Sequence, residues 1–273
     1  MSLASIMVYV DFDDTSANRI RASADLAVRF NSVLIGVGAW PLWKSEPLPP
    51  GSSSTGTTRQ EAIAQRLQKL GESFRQVAEK SGCEVEWRSS VHFPREVLAA
   101  EARAADVLVI GRDPIPGDIY RTYDPGTVIL GAGRPVLVLP RDVTRLNSTR
   151  MLIAWKDTRE ARRAIRDALP LLKTAQNVAI AMANPQVLSP TAIDAQVSDL
   201  KRYLERHAVA LDQQIETVAG EDDGPILFHL ASTYNADLIV AGAYGRTRLS
   251  EWVFGGVTRY LLTTSTIPCL FSS

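Results

Sequence analysis

The sequence is poor in the residues that build disulfide frameworks and metal centres. Its 273 residues include two cysteines, Cys83 and Cys269, and three histidines, His92, His207 and His229. The cysteines lie far apart, form no CxxC pair and fit a reducing compartment. The histidines fall in three separate segments without ligand spacing, so a surface or hydrogen-bonded role is expected of each. No run of about 18 apolar residues occurs, which argues against a membrane-spanning helix. The apolar start, MSLASIMVYVDF, meets Asp11 too early for a signal-peptide core and has no basic stretch before it. Charge of one sign is missing as well. Thirty basic and thirty acidic residues give a formal net charge of +0, which leaves no electrostatic footprint for nucleic acid or an anionic membrane. Balanced charge permits a homo-oligomer without arguing for one. A cytoplasmic protein is the expectation.

Catalytic signatures are absent too. There is no GxxxxGK[ST] loop, no kinase signature, no GxGxxG after a first strand, and no Ser-His-Asp or Cys-His order. Without a visible base or metal ligand, a dedicated phosphoryl-transfer enzyme is not expected.

What the chain does have is a repeat. Ala105-Asp106 precedes VLVIG and, later, GRPVLVLP; Ala236-Asp237 precedes LIVAG and, later, TIPCLFS. Gly111 and Gly242 close the first run of each copy, and Pro135 and Pro268 open the second. The opening strands correspond as IMVYV and MLIAW. The first copy is longer by an insertion rich in Pro, Gly, Ser and Thr over 41–58, a composition that reads as a surface loop. A polar linker over 141–149 completes a division into domains at 1–146 and 147–273.

Within each copy, short apolar runs alternate with helical periodicity, the signature of βαβ units around a parallel sheet. Strands are expected at 6–12, 32–39, 84–91, 107–111 and 135–140, then at 151–155, 177–183, 209–218, 237–242 and 267–271. Helices are expected from 16, near 59–81 and at Pro94, then at 159–173, 192–207, 224–235 and 251–264. Pro94 suits a first helical turn, where a missing N–H costs nothing, and Pro225 sits in the same place in the second copy. The fold class that follows is α/β, with two tandem doubly wound five-stranded parallel sheets. Ligands of such sheets bind beyond the carboxyl ends of the strands where the order reverses, here after the first and fourth strands of each copy.

After the fourth strand of the second copy come Ala241, Gly242 and Gly245, then Gly255, Gly256, Val257 and Thr258. Glycines let backbone approach a ligand, and N–H groups at a new helix start with a Thr hydroxyl suit an anion. Tight packing alone is the other reading of these glycines. The arrangement Gly242-x2-Gly245-x9-Gly255, with Thr258 following and Ile267-Pro268 closing, resembles the nucleotide motif of the universal stress proteins, and the resemblance extends over the whole chain as a tandem. It implies a Rossmann-like fold of the adenine nucleotide alpha hydrolase type and a cytoplasmic stress-response module. It further implies ATP with Mg²⁺ bound by the glycines and hydroxyls, and last strands that pair between the two domains of one chain.

Two positions depart from the family pattern. Gly256 replaces the motif's first Ser/Thr, and Lys156, followed by Asp157, replaces the Asp after the first strand. Lys156 can meet a phosphate as a point charge or face solvent. Arg246 and Arg248 stand beside the loop with the same two readings. The first copy keeps Asp11 at the family's position, with Asp13 and Asp14 following. It lacks the second glycine, and its prolines argue against a regular helix start after Gly111, so its pocket reads as degenerate. The acidic run reads as a helix cap or solvated face before it reads as a cation site. A weak ATPase and a non-nucleotide scaffold or small-ligand binder are the competing functions.

Overall fold

A computed structural model describes residues 2–13, 15–42, 59–112, 123–182, 190–216, 223–244 and 256–273. The chain divides into two compact units, one of Leu3–Arg134 with Arg141–Arg145, the other of Pro135–Pro140 with Leu146–Ser273.

The first unit runs β1 (Ser5–Tyr9), α1 (Ser16–Phe30), β2 (Val33–Ala39), α2 (Arg59–Ala78), β3 (Val85–Ser90), α3 (Pro94–Glu101), β4 (Val107–Gly111) and α4 (Pro125–Ala132). Its sheet order is β3-β2-β1-β4, and every neighbouring pair is parallel. Ile6, Met7 and Val8 are wholly buried, as expected of a strand covered on both faces. β1 ends earlier than its apolar run. The Asp13 N–H donates to Asp11 Oδ1 at 3.2 Å and the Thr15 N–H to Asp13 Oδ1 at 2.8 Å, which turns the chain into α1. Asn31 then closes α1 in the left-handed conformation, φ 52°, where Asn is well tolerated.

The second unit contains β5 (Val136–Leu139), β6 (Arg150–Trp155), α5 (Arg159–Leu172), β7 (Asn177–Met182), α6 (Pro190–Arg206), β8 (Gln213–Glu216), α7 (Asp223–Thr233), β9 (Leu238–Gly242), α8 (Gly256–Thr264) and β10 (Cys269–Ser272). Its order is β5-β10-β9-β6-β7-β8. Five of these strands are parallel, whereas β5 runs antiparallel to β10 with Val136 opposite Phe271 and Val138 opposite Cys269. The last strands of the two copies therefore do pair within one chain.

The repeat extends to register. Ile6 stands opposite Val107 and Met7 opposite Leu108; their counterparts Met151 and Leu152 stand opposite Leu238 and Ile239. The same aspartate pins both copies. Asp106 accepts from the Ala4 and Ser5 N–H groups at 2.7 and 3.0 Å, and Asp237 accepts from the Thr149 and Arg150 N–H groups at 2.8 and 3.0 Å. The Ala-Asp dipeptide that marked the repeat thus staples the start of the first strand of each copy to the start of the fourth.

Two expectations need correction. A regular helix, α4, does form in the first copy. Asp124 caps it by accepting the Thr127 N–H at 2.8 Å, and Pro125 sits at its first position, where proline is favoured rather than disruptive. The strand expected over 209–218 is shorter at its start. Ala208 turns left-handed at φ 59° and the Val209 N–H returns to Leu204 O, so these residues cap α6 instead of extending. The acidic run also resolves. Asp11 pairs with Arg19, Asp13 caps and pairs with Arg141 at 2.5 Å, and Asp14 lies outside the described residues.

Candidate functional site

In the second unit β6 and β9 are neighbours, so their carboxyl ends lie side by side at the point where strand order reverses, the place where such sheets take ligands. Lys156 and Asp157 follow β6 and both are exposed. The Lys156 carbonyl accepts the Thr158 N–H at 2.7 Å, but its side chain has no polar partner among the described residues, whereas Asp157 Oδ1 is held by Arg162 at 2.5 Å. Trp155, at the end of β6, is buried, and its indole Nε1 has no hydrogen-bond partner among the described residues. A buried donor without a partner is costly.

Ala241 is buried within β9. Gly242 ends that strand, and a Cβ there would collide with the backbone of Glu160 and Ala161. This glycine therefore lets the first turn of α5 close onto β9. Thr158 caps that turn, its Oγ1 accepting the Ala161 N–H at 3.3 Å. Glu160, buried in the same turn, is bound by Arg159. Burial would push its carboxyl up, but the Arg159 guanidinium, with backbone and Thr158 hydrogen bonds, holds it below the ordinary glutamate range. Tyr244 sits at φ 62°, an uncommon conformation for a bulky residue and a place where the loop holds strain.

Gly256 opens α8 and is exposed, Val257 follows, and Thr258 is buried. Gly224 of α7 buttresses this start, since a Cβ on it would lie 2.5 Å from Tyr260 Cβ and 3.2 Å from Gly256 O. A helix start without a side chain at its first position offers free N–H groups to an anion. Gly245 and Gly255, with Arg246 and Arg248, lie outside the described residues. Lys156 and Trp155 at the end of β6, and the exposed start of α8, are N–H donors of the kind a phosphorylated ligand takes. Among the described residues no group of three His, Cys, Asp or Glu side chains could hold a metal.

The first unit fills the matching place itself. Arg19, 6% exposed, pairs its Nη2 with Asp11 Oδ2 at 2.6 Å and donates Nε–H to Tyr9 O at 2.8 Å. A Cβ on Gly111 would strike the Arg19 Nη1. The Tyr123 hydroxyl accepts the Gly111 N–H at 2.9 Å and donates to Gly111 O at 3.0 Å. The 145-residue offset from Ile6 to Met151 carries Arg19 onto Ala164, and the 133-residue offset from Pro135 to Pro268 carries Tyr123 onto Gly256. Two large side chains in one copy are thus an alanine and a glycine in the other. Sequence reading missed both. A helical wheel alone assigns Arg19 to solvent, and only the aligned pair Arg19/Ala164 carries the signal.

Residues 3–117 and 147–272 match the profile of the universal stress protein family. A universal stress protein from Archaeoglobus fulgidus DSM 4304 is similar over 98% of this chain and 98% of its own, with a TM-score of 0.75 at 13% identity. A functionally unknown protein from Pseudomonas aeruginosa PAO1 covers 99% of this chain and 92% of its own, with a TM-score of 0.59 at 15% identity. A universal stress protein from Archaeoglobus fulgidus in complex with dAMP matches 50% of this chain and 98% of its own, with a TM-score of 0.36 at 21% identity. No curated protein matches the chain. Among the described residues no helix is long and apolar enough to cross a membrane.

Proposed function

The chain belongs to the universal stress protein family, and from that premise we propose that its second half binds an adenine nucleotide, while its first half is closed to one. The observation that carries this reading is the exchange of Arg19 and Tyr123 for Ala164 and Gly256 between equivalent crevices. Gly242, Gly245, Gly255 and the N–H groups of Gly256 and Val257 would cradle the phosphates, with the Thr258 hydroxyl beside them and Ala241 supporting the loop. Lys156 would meet a phosphate as a point charge rather than accept a ribose hydroxyl. That preference favours ATP, accompanied by Mg²⁺, over a nucleoside. Asp157, already engaged by Arg162, would act by keeping Arg162 away from the crevice. The protein would then serve as a cytoplasmic stress-response module whose occupancy changes at one site per chain.

Titration of the purified protein with MgATP tests this, alongside mass spectrometry of any co-purified nucleotide. Gly256→Tyr, which places the first half's residue in the second half, should weaken binding at least about tenfold, a loss of about 1.4 kcal/mol. Gly245→Val and Gly255→Val should do the same. Equal binding by wild type and all three variants would remove the assignment. Turnover above background that disappears in these variants would instead favour the weak ATPase.

A further inference from the structure

Arg19 is buried more completely than its place on a surface helix requires. Arginine is almost never fully buried unless paired, and here the pairing partners come chiefly from the strand end that faces it. Asp11 Oδ2 stands 2.6 Å from Nη2, Tyr9 O accepts Nε–H at 2.8 Å, and Ser16 Oγ lies 3.4 Å from Nη2. The Tyr123 ring meets the Tyr9 ring edge-on at a centroid distance of 5.1 Å, and its hydroxyl is fixed on both polar groups of Gly111. A carboxylate and a carbonyl at separate nitrogens of one plane match the donor fork of a guanidinium, not the point charge of an ammonium. Although burial disfavours the cation, the neighbouring Asp11 and tyrosines more than restore it.

We infer that the first-half crevice is a receptor for a planar guanidinium-type cation, and that the chain's own Arg19 is its resident ligand. The acceptors are contributed by the ends of β1 and α1, and Gly111 of β4 leaves the room for Nη1 that any side chain would take. Covalent attachment gives Arg19 an effective concentration that a free cation cannot match. The site is therefore silent in the intact protein, and removing the side chain should uncover it. This inference concerns the first half and stands whether or not the second half binds nucleotide.

Chemical rescue tests it in the full chain. Arg19→Ala should lower the unfolding midpoint by roughly 10 °C, the size expected when a buried charged partner is removed. Adding about 50 mM methylguanidinium should raise that midpoint by several degrees, as a ligand that binds only the native state does. Methylammonium at the same ionic strength should restore less. Neither wild type nor Arg19→Ala with Asp11→Ala should gain. An equal gain in wild type and variant, an equal gain from both cations, or no gain at all would overturn the proposal. Should Arg19→Ala fail to fold, Arg19→Lys decides: it should fold with a lowered midpoint, and a midpoint equal to wild type would exclude guanidinium selectivity.

Discussion

The two halves share a scaffold down to strand register and differ at the one place where such a scaffold takes ligands. Both staple their first strand with an aspartate, Asp106 or Asp237, and both end their fourth strand in a glycine. Yet Gly111 makes room for an arginine side chain, and Gly242 makes room for the backbone of a helix. The same residue at the same register thus serves two purposes, one closing a crevice and one shaping it. A shared glycine is no guide to a shared function; its neighbours decide.

The largest expected effect breaks the symmetry. Asp11→Ala strands the buried Arg19 guanidinium and should cost about 3–5 kcal/mol in urea unfolding of the first half. Lys156→Ala, at the equivalent position, should leave the unfolding midpoint unchanged because the side chain is exposed. Similar costs for both would mean the crevices are not organised differently. The next effect sharpens the likeness. Asp106→Ala and Asp237→Ala should each cost about 1.5–3 kcal/mol, the range for a charged hydrogen bond, since both lose carboxylate bonds to the backbone of a first strand. A difference of more than twofold would show that the staple has drifted apart between copies.

The smallest effect is a pH dependence found in the second half. The Glu160 carboxyl is held low in the folded protein, so as pH falls the unfolded chain takes up its proton first. Its stabilisation is therefore full above the ordinary glutamate value of about 4.3 and is lost as pH drops through the folded value. The gap in melting midpoint between wild type and Glu160→Gln should hold constant from pH 6 to about pH 5 and narrow below that as pH falls toward 3. A gap independent of pH would show that Arg159 does not hold the charged form.

Much of this was legible in the sequence. Apolar runs such as IMVYV and VLVIG are buried on both faces, so composition alone marks them as central parallel strands. The Ala-Asp repeat located equivalent strands without revealing the aspartate's role, because a staple depends on atoms about a hundred residues away. α4 was obscured because proline was weighed as a breaker when its position, after a capping Asp, made it a helix starter. The plug at Arg19 was hidden for a different reason. A helical wheel assigns an arginine to solvent, and only the Asp11 carboxylate across the turn can draw it inward.

The antiparallel partnership of β5 with β10 sets the repeat apart from the unit that folds. In the sequence repeat β5 closes the first copy, but its four residues belong by hydrogen bonding and contacts to the second. A fragment beginning at residue 147 would carry the whole second repeat and still present β10 as a bare edge, three apolar residues long and open to pairing. Such a fragment should self-associate through that edge in sedimentation experiments, and one beginning before Pro135 should not. With β5 on the same chain, β10 finds its partner without an encounter by diffusion, so that pairing does not depend on protein concentration.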